Sequence, residues 1–122
     1  MSTTHKIAAV ISEAIARSPG MSGIAPANVY ADNLPPSIKQ GVTIDGTYSI
    51  PGKSRQRGAT LHIWMPMPDK PTKAGDIEDM ADVLVASFNG TAILPSDWIR
   101  QPDENAKMDH VVIPVVVYLD RL

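Results

Sequence analysis

An amphipathic helical pattern over residues 72–90 most constrains what this chain can fold into. The apolar residues of the pattern recur at helical spacing: Ile77, Met80, Ala81, Leu84, Val85 and Phe88. Acidic residues lie off this stripe and crowd its first half, where carboxylates complement the positive end of a helix dipole. Asn89 and Gly90 mark the end of the helix. A narrow apolar stripe needs a flat apolar partner, so the pattern predicts a helix lying across a β-sheet.

The chain has the size and composition of one globular domain, which we expect to span residues 1–122. Of its 122 residues, 43% are hydrophobic and 20% are charged, enough apolar material for a core. The absence of cysteine excludes disulfides, thiolate metal sites and a cysteine nucleophile. The first apolar stretch is short and interrupted by Glu13 and Arg17, so neither a signal peptide nor a membrane anchor is expected.

The other elements are read from periodicity and from breakers. A helix is predicted over 3–17, ended by Pro19 and Gly20, and a short edge strand is predicted over 28–30. Residues 42–50 and 59–65 form the arms of a hairpin, with a long, polar, basic loop over 51–58 expected to project from it. Asp45-Gly46 is either a tight turn or a bulge within the first arm.

The last stretch, 109–122, is apolar on both alternating faces. Such a strand is central in a sheet, or a second subunit covers its other face. Pro114 cannot donate to a strand ladder, which argues for a bulge or an edge at that point. Two shorter strands are predicted over 91–94 and 98–100. The fold class predicted is therefore α+β: a mainly antiparallel sheet with two helices packed on one face and one long hairpin.

No motif indicates catalysis, a cofactor or a metal. Gly52-Lys53-Ser54 looks like the end of a phosphate-binding loop, but Thr47 occupies the position of its first glycine and no helix follows. The three histidines, His5, His62 and His110, lack metal-ligand spacing, and isolated histidines are usually structural or simply exposed. We therefore predict no catalytic, cofactor-binding or metal-binding residue.

Charge and aromatic residues suggest surfaces for association instead. Residues 1–73 hold eight Lys/Arg and four Asp/Glu, whereas residues 74–122 hold three Lys/Arg and nine Asp/Glu. This asymmetry suits head-to-tail association, although an acidic helix face and loop also explain it. Lys53, Arg55 and Arg57 form a small basic patch, too small for a nucleic-acid-binding module. It is either a contact for a partner protein or for passing DNA, or simply a solvated loop. Trp64 shares a strand face with polar residues, where it is either an interface anchor or packed beneath a loop.

The order of these elements resembles a known family. An amphipathic helix ends at Pro19-Gly20, and a Val29-Tyr30 segment precedes a proline pair. An extended hairpin then leads into RGATLHIW (57–64), followed by a helix with IEDMADVL (77–84) and a closing hydrophobic strand. This pattern is similar to the tail terminator, or tail completion, proteins of long-tailed bacteriophages and to related minor tail or neck proteins.

The resemblance implies a non-enzymatic structural protein of the virion. Such subunits close into a ring, expected to be hexameric, at the head-proximal end of the tail tube. The ring ends tube polymerisation, contacts the tube protein and the head-side connector, and passes DNA through its bore without sequence-specific binding. The implied location is the tail or neck of the virion, after assembly in the host cytoplasm, with no membrane partner.

For this ring the residues predicted at subunit or partner interfaces are Lys53, Arg55, Arg57, Trp64, Val115 and Val117. Two alternatives stay open. One is a head–tail connector or another neck protein of the same layout. The other is a small cytoplasmic α/β enzyme or ligand-binding protein with a dispersed site around His62 and His110.

Overall fold

The computed structural model of the protein describes residues 2–18, 21, 29–67 and 76–122. Within these ranges the helices and strands are α1 (Thr3–Ala16), β1 (Val29–Ala31), β2 (Gly41–Ile44), β3 (Tyr48–Ile50), β4 (Lys53–Pro66), α2 (Asp76–Ser87), β5 (Ile93–Pro95), β6 (Ile99–Arg100) and β7 (Met108–Tyr118). A 3₁₀ turn, Leu119–Arg121, follows β7. Neither described helix has the length and apolar character needed to cross a membrane.

All of these strands belong to one mixed sheet. Its main order is β1-β2-β4-β7-β5, while β3 pairs with β4 and β6 pairs with β7. The β1–β2 pair is parallel and the remaining pairs are antiparallel. The predicted α+β class, with a mainly antiparallel sheet, is confirmed.

Two long central strands, β4 and β7, form the frame of the sheet. They pair without a register break from Gln56 opposite Tyr118 to Pro66 opposite Met108. Because side chains alternate along a strand, one face of the pair carries the odd-numbered residues, among them Leu61 opposite Ile113. The other face carries the even-numbered residues. The first face is the core: its apolar side chains are buried from Ala59 to Ile63 on β4 and from Val111 to Val117 on β7.

Both helices contribute to that core. The α2 stripe is confirmed: its members are buried except for the partly buried Val85, and α2 contacts β4 and β7. Gly90, at a φ of +79°, follows the helix end as predicted. The predicted residues 72–75 lie outside the described ranges. In α1, which packs on β1 and α2, Ser2 caps the helix by accepting a hydrogen bond from the His5 amide.

The hairpin differs from its prediction. Residues 53–58 are not a projecting loop, because β4 already begins at Lys53 and the turn consists of Pro51 and Gly52. Gly52 has a φ of +74°, which a side-chain-bearing residue rarely adopts. Lys53 and Arg55 remain exposed at this end of the strand. A polar stretch can extend a strand when its backbone pairs on both sides, as Gly58 does with Tyr48 and Val116.

The strand pairing shows how the chain runs at the two predicted interruptions, Asp45-Gly46 and Pro114. Asp45-Gly46 is an interruption within one arm, since β2 and β3 both pair with β4 and the Asp45 amide donates to the Thr60 carbonyl. At Pro114 there is no bulge against β4. The Pro114 carbonyl accepts from the Ser96 amide just beyond the end of β5, so its missing N–H faces the gap between β5 and β6, a local edge.

Candidate functional site

The face of the sheet opposite the helices is the surface of greatest interest. We call it the outer face. Both described helices pack on the other side, so none of their side chains covers it. On β4 and β7 it carries the residues between the core positions, which are Gly58, Thr60, His62, Trp64, His110, Val112, Pro114 and Val116.

One end of the outer face is an exposed apolar row. The pairing aligns Tyr48, Gly58, Val116 and Leu94 across four strands. Tyr48 is 56% exposed and Leu94 is 52% exposed. Ile99, 53% exposed, lies opposite Val112 on the same face. Three of the four exposed large hydrophobic residues in the described part of the chain therefore share one face.

Gly58 allows the Tyr48 ring to approach the backbone of β4. A β-carbon on Gly58 would overlap the ring and hydroxyl of Tyr48, closer than any van der Waals contact allows. The tyrosine ring therefore lies against the bare backbone of β4. This placement brings Tyr48 beside Val116 and makes the row continuous.

The other end of the outer face is a stack of aromatic rings. The Trp64 and His110 ring centroids are 3.7 Å apart with an interplanar angle of 3°, and His62 stacks on His110 at 4.8 Å. The Trp64 Nε1–H donates to the Thr43 hydroxyl at 3.0 Å, which fixes the indole. These contacts hold all three rings nearly parallel to one another.

A chain of hydrogen bonds runs through the stack. Asp45 Oδ2 lies 2.9 Å from His62 Nε2, and His62 Nδ1 lies 2.6 Å from His110 Nε2. With both imidazoles neutral, His62 Nε2–H donates to the carboxylate and His110 Nε2–H donates to His62 Nδ1. Each contact in the chain then has a donor and an acceptor.

The electrostatics of the stack favour a neutral His110. Burial, and then the proximity of His62, lower the pKa of His110. The backbone at Gln101 and the carboxylates of Asp103 and Asp45 act in the opposite direction but more weakly. At neutral pH the stack therefore holds an uncharged His110 in contact with an indole and a second imidazole.

The same contacts limit the chemistry that the stack can perform. Both ring nitrogens of His62 and the Nε2 of His110 are already engaged within the protein. Thr43, the hydroxyl nearest the indole, is fully buried and accepts from Trp64. No group of three potential metal ligands converges within the described ranges. The arrangement holds rings in place and presents no open nucleophile.

Trp64 also borders a groove at this end of the sheet. The groove has a volume of about 360 Å³ and lies between the 33–38 and 103–108 segments. Leu34, Pro35, Ile38 and Met108 supply much of its apolar lining. The sequence left Trp64 as an interface anchor or a residue packed beneath a loop, and the structure places it half-buried between the ring stack and this groove.

The predicted interface residues fall in different places. Lys53 and Arg55 are exposed at the start of β4, and the guanidinium of Arg57 donates to the Ser49 hydroxyl. Val115 and Val117 are a correction: they are 3% and 0% exposed, in the core beneath the helices. Their side chains point away from the face that a second subunit can reach.

The error has a simple physical cause. Adjacent residues on a strand face opposite ways, so a choice shifted by one position reverses the face. Val112 and Val116, the neighbours of the predicted pair, are the valines of β7 that lie on the outer face. Their half-buried side chains, unlike those of Val115 and Val117, lie on a face that another molecule can reach.

Sequence reasoning also missed the ring stack. His62 and Trp64 share a strand face by simple alternation, which the sequence does show. The contact with His110 depends on Trp64 lying opposite His110 in the β4–β7 register, and that register spans 46 residues of sequence. No local pattern in the chain specifies it.

Comparison with known proteins does not place the chain in a family. No family model matches it, and no curated protein matches it. The features that bear on its function are therefore those of its own surface, above all the apolar row and the ring stack of the outer face.

Proposed function

We propose that this protein is a non-enzymatic structural subunit that closes into a ring at the head-proximal end of a long bacteriophage tail. In this role it ends polymerisation of the tail tube and joins the tail to the head-side connector. A head–tail connector or another neck protein of the same layout is the neighbouring alternative. The proposal combines the order of elements along the chain with the surface that these elements create.

The observation that carries the proposal is the uncovered apolar row of the outer face. Tyr48, Val116 and Leu94 lie side by side on three strands, and Ile99 lies farther along the same face, opposite Val112. Contiguous exposed apolar side chains on a small protein usually mark a contact with another molecule. A sheet that is closed by helices on one side and open on the other is suited to packing against further copies.

The other parts of the proposal follow from the ring. The expected assembly is a hexamer that contacts the tube protein on one side and the head-side connector on the other. DNA passes through the bore without sequence-specific binding, in keeping with a net charge of −2 and few basic residues. The proposed location is the tail or neck of the virion.

The first experiment measures native mass over a range of protein concentrations, followed by negative-stain imaging of large species. We expect a closed ring with a mass near that of a hexamer of the 13.1 kDa chain. The Val116→Asp variant, which places a charge in the apolar row, should remain monomeric. Ala9→Asp, at an exposed position on α1, is the matched control and should still form rings.

Two results would contradict the proposal. One is a wild-type chain that stays monomeric at every concentration and fails to bind purified tail tubes. The other is a Val116→Asp variant that assembles as well as the Ala9→Asp control, since the row would then not be part of the contact.

A second candidate function is favoured by the Asp45–His62–His110 chain. A carboxylate that orients one imidazole, which in turn contacts a second, is an arrangement used in proton transfer by enzymes. A small enzyme or ligand-binding protein would use this end of the outer face. Replacing His62 and His110 by alanine should abolish such an activity, whereas a ring subunit should still assemble.

A further inference from the structure

The two lateral edges of the sheet carry opposite charge. On one edge, β3 and the start of β4 form a hairpin bearing Lys53, Arg55 and Arg57, which we call the basic hairpin. No acidic residue occurs between Gly46 and Gly58. The basic hairpin itself therefore carries only positive charge.

The opposite edge is negative. It is formed by β6, the segment before it and the first half of α2, which carry Asp97, Asp79 and Asp82 on exposed positions. We call these three residues the acidic edge. Asp103 and Glu104 add further exposed carboxylates in the loop after β6.

The acidic edge is held rigidly in place. Trp98 Nε1–H donates to Asp82 at 2.7 Å, and Arg100 Nη1 donates to Glu78 at 2.8 Å. These contacts tie α2 to β6 at the side of the sheet. The carboxylates of Asp79 and Asp97 consequently project from a fixed frame.

Neither edge is neutralised from within the described part of the chain. The ion pairs found there join Asp45 to His62 and Arg100 to Glu78 and Asp109. Lys53 and Arg55 on one edge, and Asp79 and Asp97 on the other, take part in none of them. Both edges are thus available to a partner of opposite charge.

We propose that the basic hairpin of one copy binds the acidic edge of the next copy. The inference rests on the proposed ring, and it adds a charged contact to the one that the apolar row makes. A cyclic ring needs two different, complementary patches on each subunit, and opposite edges of one sheet are well placed to supply them. Complementary charge also sets which surfaces meet and speeds their encounter.

A second copy is a better match to the hairpin than DNA is. The hairpin offers three cations, all at the start of β4, without the larger basic surface that nucleic-acid binding requires. The matching carboxylates are present on the same chain in equal number. Binding of the hairpin to DNA is therefore an outcome of the test and not the expectation.

A charge-swap experiment tests the pairing. Variant A carries Lys53→Glu and Arg55→Glu, and variant B carries Asp79→Lys and Asp97→Lys. Asp82 is left intact because it accepts the hydrogen bond from Trp98. Lys6→Glu with Lys39→Glu, at exposed positions away from both edges, makes the same change in net charge as variant A and serves as the control.

Native mass should show that variants A and B, each alone, lose the ring under conditions in which the wild type and the control assemble. In a mixture, each contact pairs an A edge with a B edge of opposite charge, so an even-membered ring should return. A single chain carrying all four substitutions should also assemble. Assembly of the wild type should weaken as ionic strength rises.

The outcomes separate this inference from the proposed function. A wild-type chain that never assembles and does not bind purified tail tubes contradicts the function itself. Wild-type rings that persist in variants A and B overturn the pairing alone. The pairing is equally overturned if variant A keeps its ring but loses binding to a duplex oligonucleotide that the wild type retains, because the hairpin would then face DNA.

Discussion

His110 is a titratable residue in contact with both an indole and a second imidazole, and its surroundings determine how the protein responds to acid. Trp64 stacks on one side of it, and His62 contacts its Nε2 at 2.6 Å. Burial and the neighbouring imidazole lower the pKa of His110. In the unfolded chain the same residue returns to its ordinary value of 6.5. The folded state thus favours the neutral form.

This difference predicts a pH dependence of stability. A lowered folded-state pKa means that the contribution of His110 is fully present above about pH 6.5 and is lost as the pH falls through the folded-state pKa. Urea unfolding followed by circular dichroism should show that the free energy of unfolding falls as the pH drops below about 6.5. A His110→Gln variant should lose much of this slope. Parallel profiles for the two proteins would contradict the assignment.

Two places in the chain show which features could be predicted from the local sequence and which could not. The Gly90 stop was predictable because a positive φ after a helix is a local requirement. The orientation of Val115 and Val117 was not, because 109–122 is apolar at both alternations and offers no period that selects a face. Only the packing of α2 on the odd-numbered residues of β7 selects it.

At the scale of elements, Arg100 connects three pieces of the fold. It stands on β6 and makes a two-pronged contact with the buried carboxylate of Asp109 on β7, at 3.0 and 2.7 Å. Its remaining nitrogen reaches Glu78 on α2. The hydrogen bond to Asp109 raises the pKa of Arg100 further, so the residue is a permanent cation at this junction.

Loss of this cation should be costly. Arg100→Met leaves the Asp109 side chain, only 4% exposed, as an unpaired buried charge, and we expect a loss of about 3–5 kcal/mol in the free energy of unfolding. Glu78→Gln is the control, because Glu78 is 41% exposed and its loss should cost less than about 1 kcal/mol. Urea titration measures both. Equal effects would show that Asp109 is stabilised by other means.

The elements themselves were largely readable from the sequence. Periodicity located α1 and α2, whose apolar residues recur at helical spacing. It also located most of the strands, where apolar and polar residues alternate. The hairpin turn was misplaced, since five polar residues after Gly52 looked like a loop. They form a strand because β3, just before the turn, and β7, far away in the chain, supply pairing partners.

At the scale of the whole molecule, the protein is a two-layer structure in which helices pack on one face of the sheet and not on the other. The helices close the core on one side of the sheet, and its outer face remains open with its apolar row exposed. If copies assemble through this face, part of the stability of the fold comes from association. A protein of this kind has no single thermal midpoint independent of concentration.

The thermal midpoint should consequently rise with protein concentration in the wild type. Association removes folded monomer and shifts the equilibrium away from the unfolded chain. Scanning calorimetry over a series of concentrations measures the shift. For the Val116→Asp variant the midpoint should be independent of concentration, whereas Ala9→Asp should behave as the wild type does. A constant midpoint in all three would argue against self-association through this face.

The position of Pro114 has a consequence for the chain before it folds. HVVIPVVVYL (110–119) combines β-branched residues with almost no charge, the composition of segments that stack into amyloid-like fibres. Pro114 divides this segment into two runs, and its missing N–H faces the gap between β5 and β6, where no ladder bond is given up. It thus acts as a gatekeeper at little cost to the native sheet. Pro114→Val should leave urea stability nearly unchanged and increase light scattering during refolding.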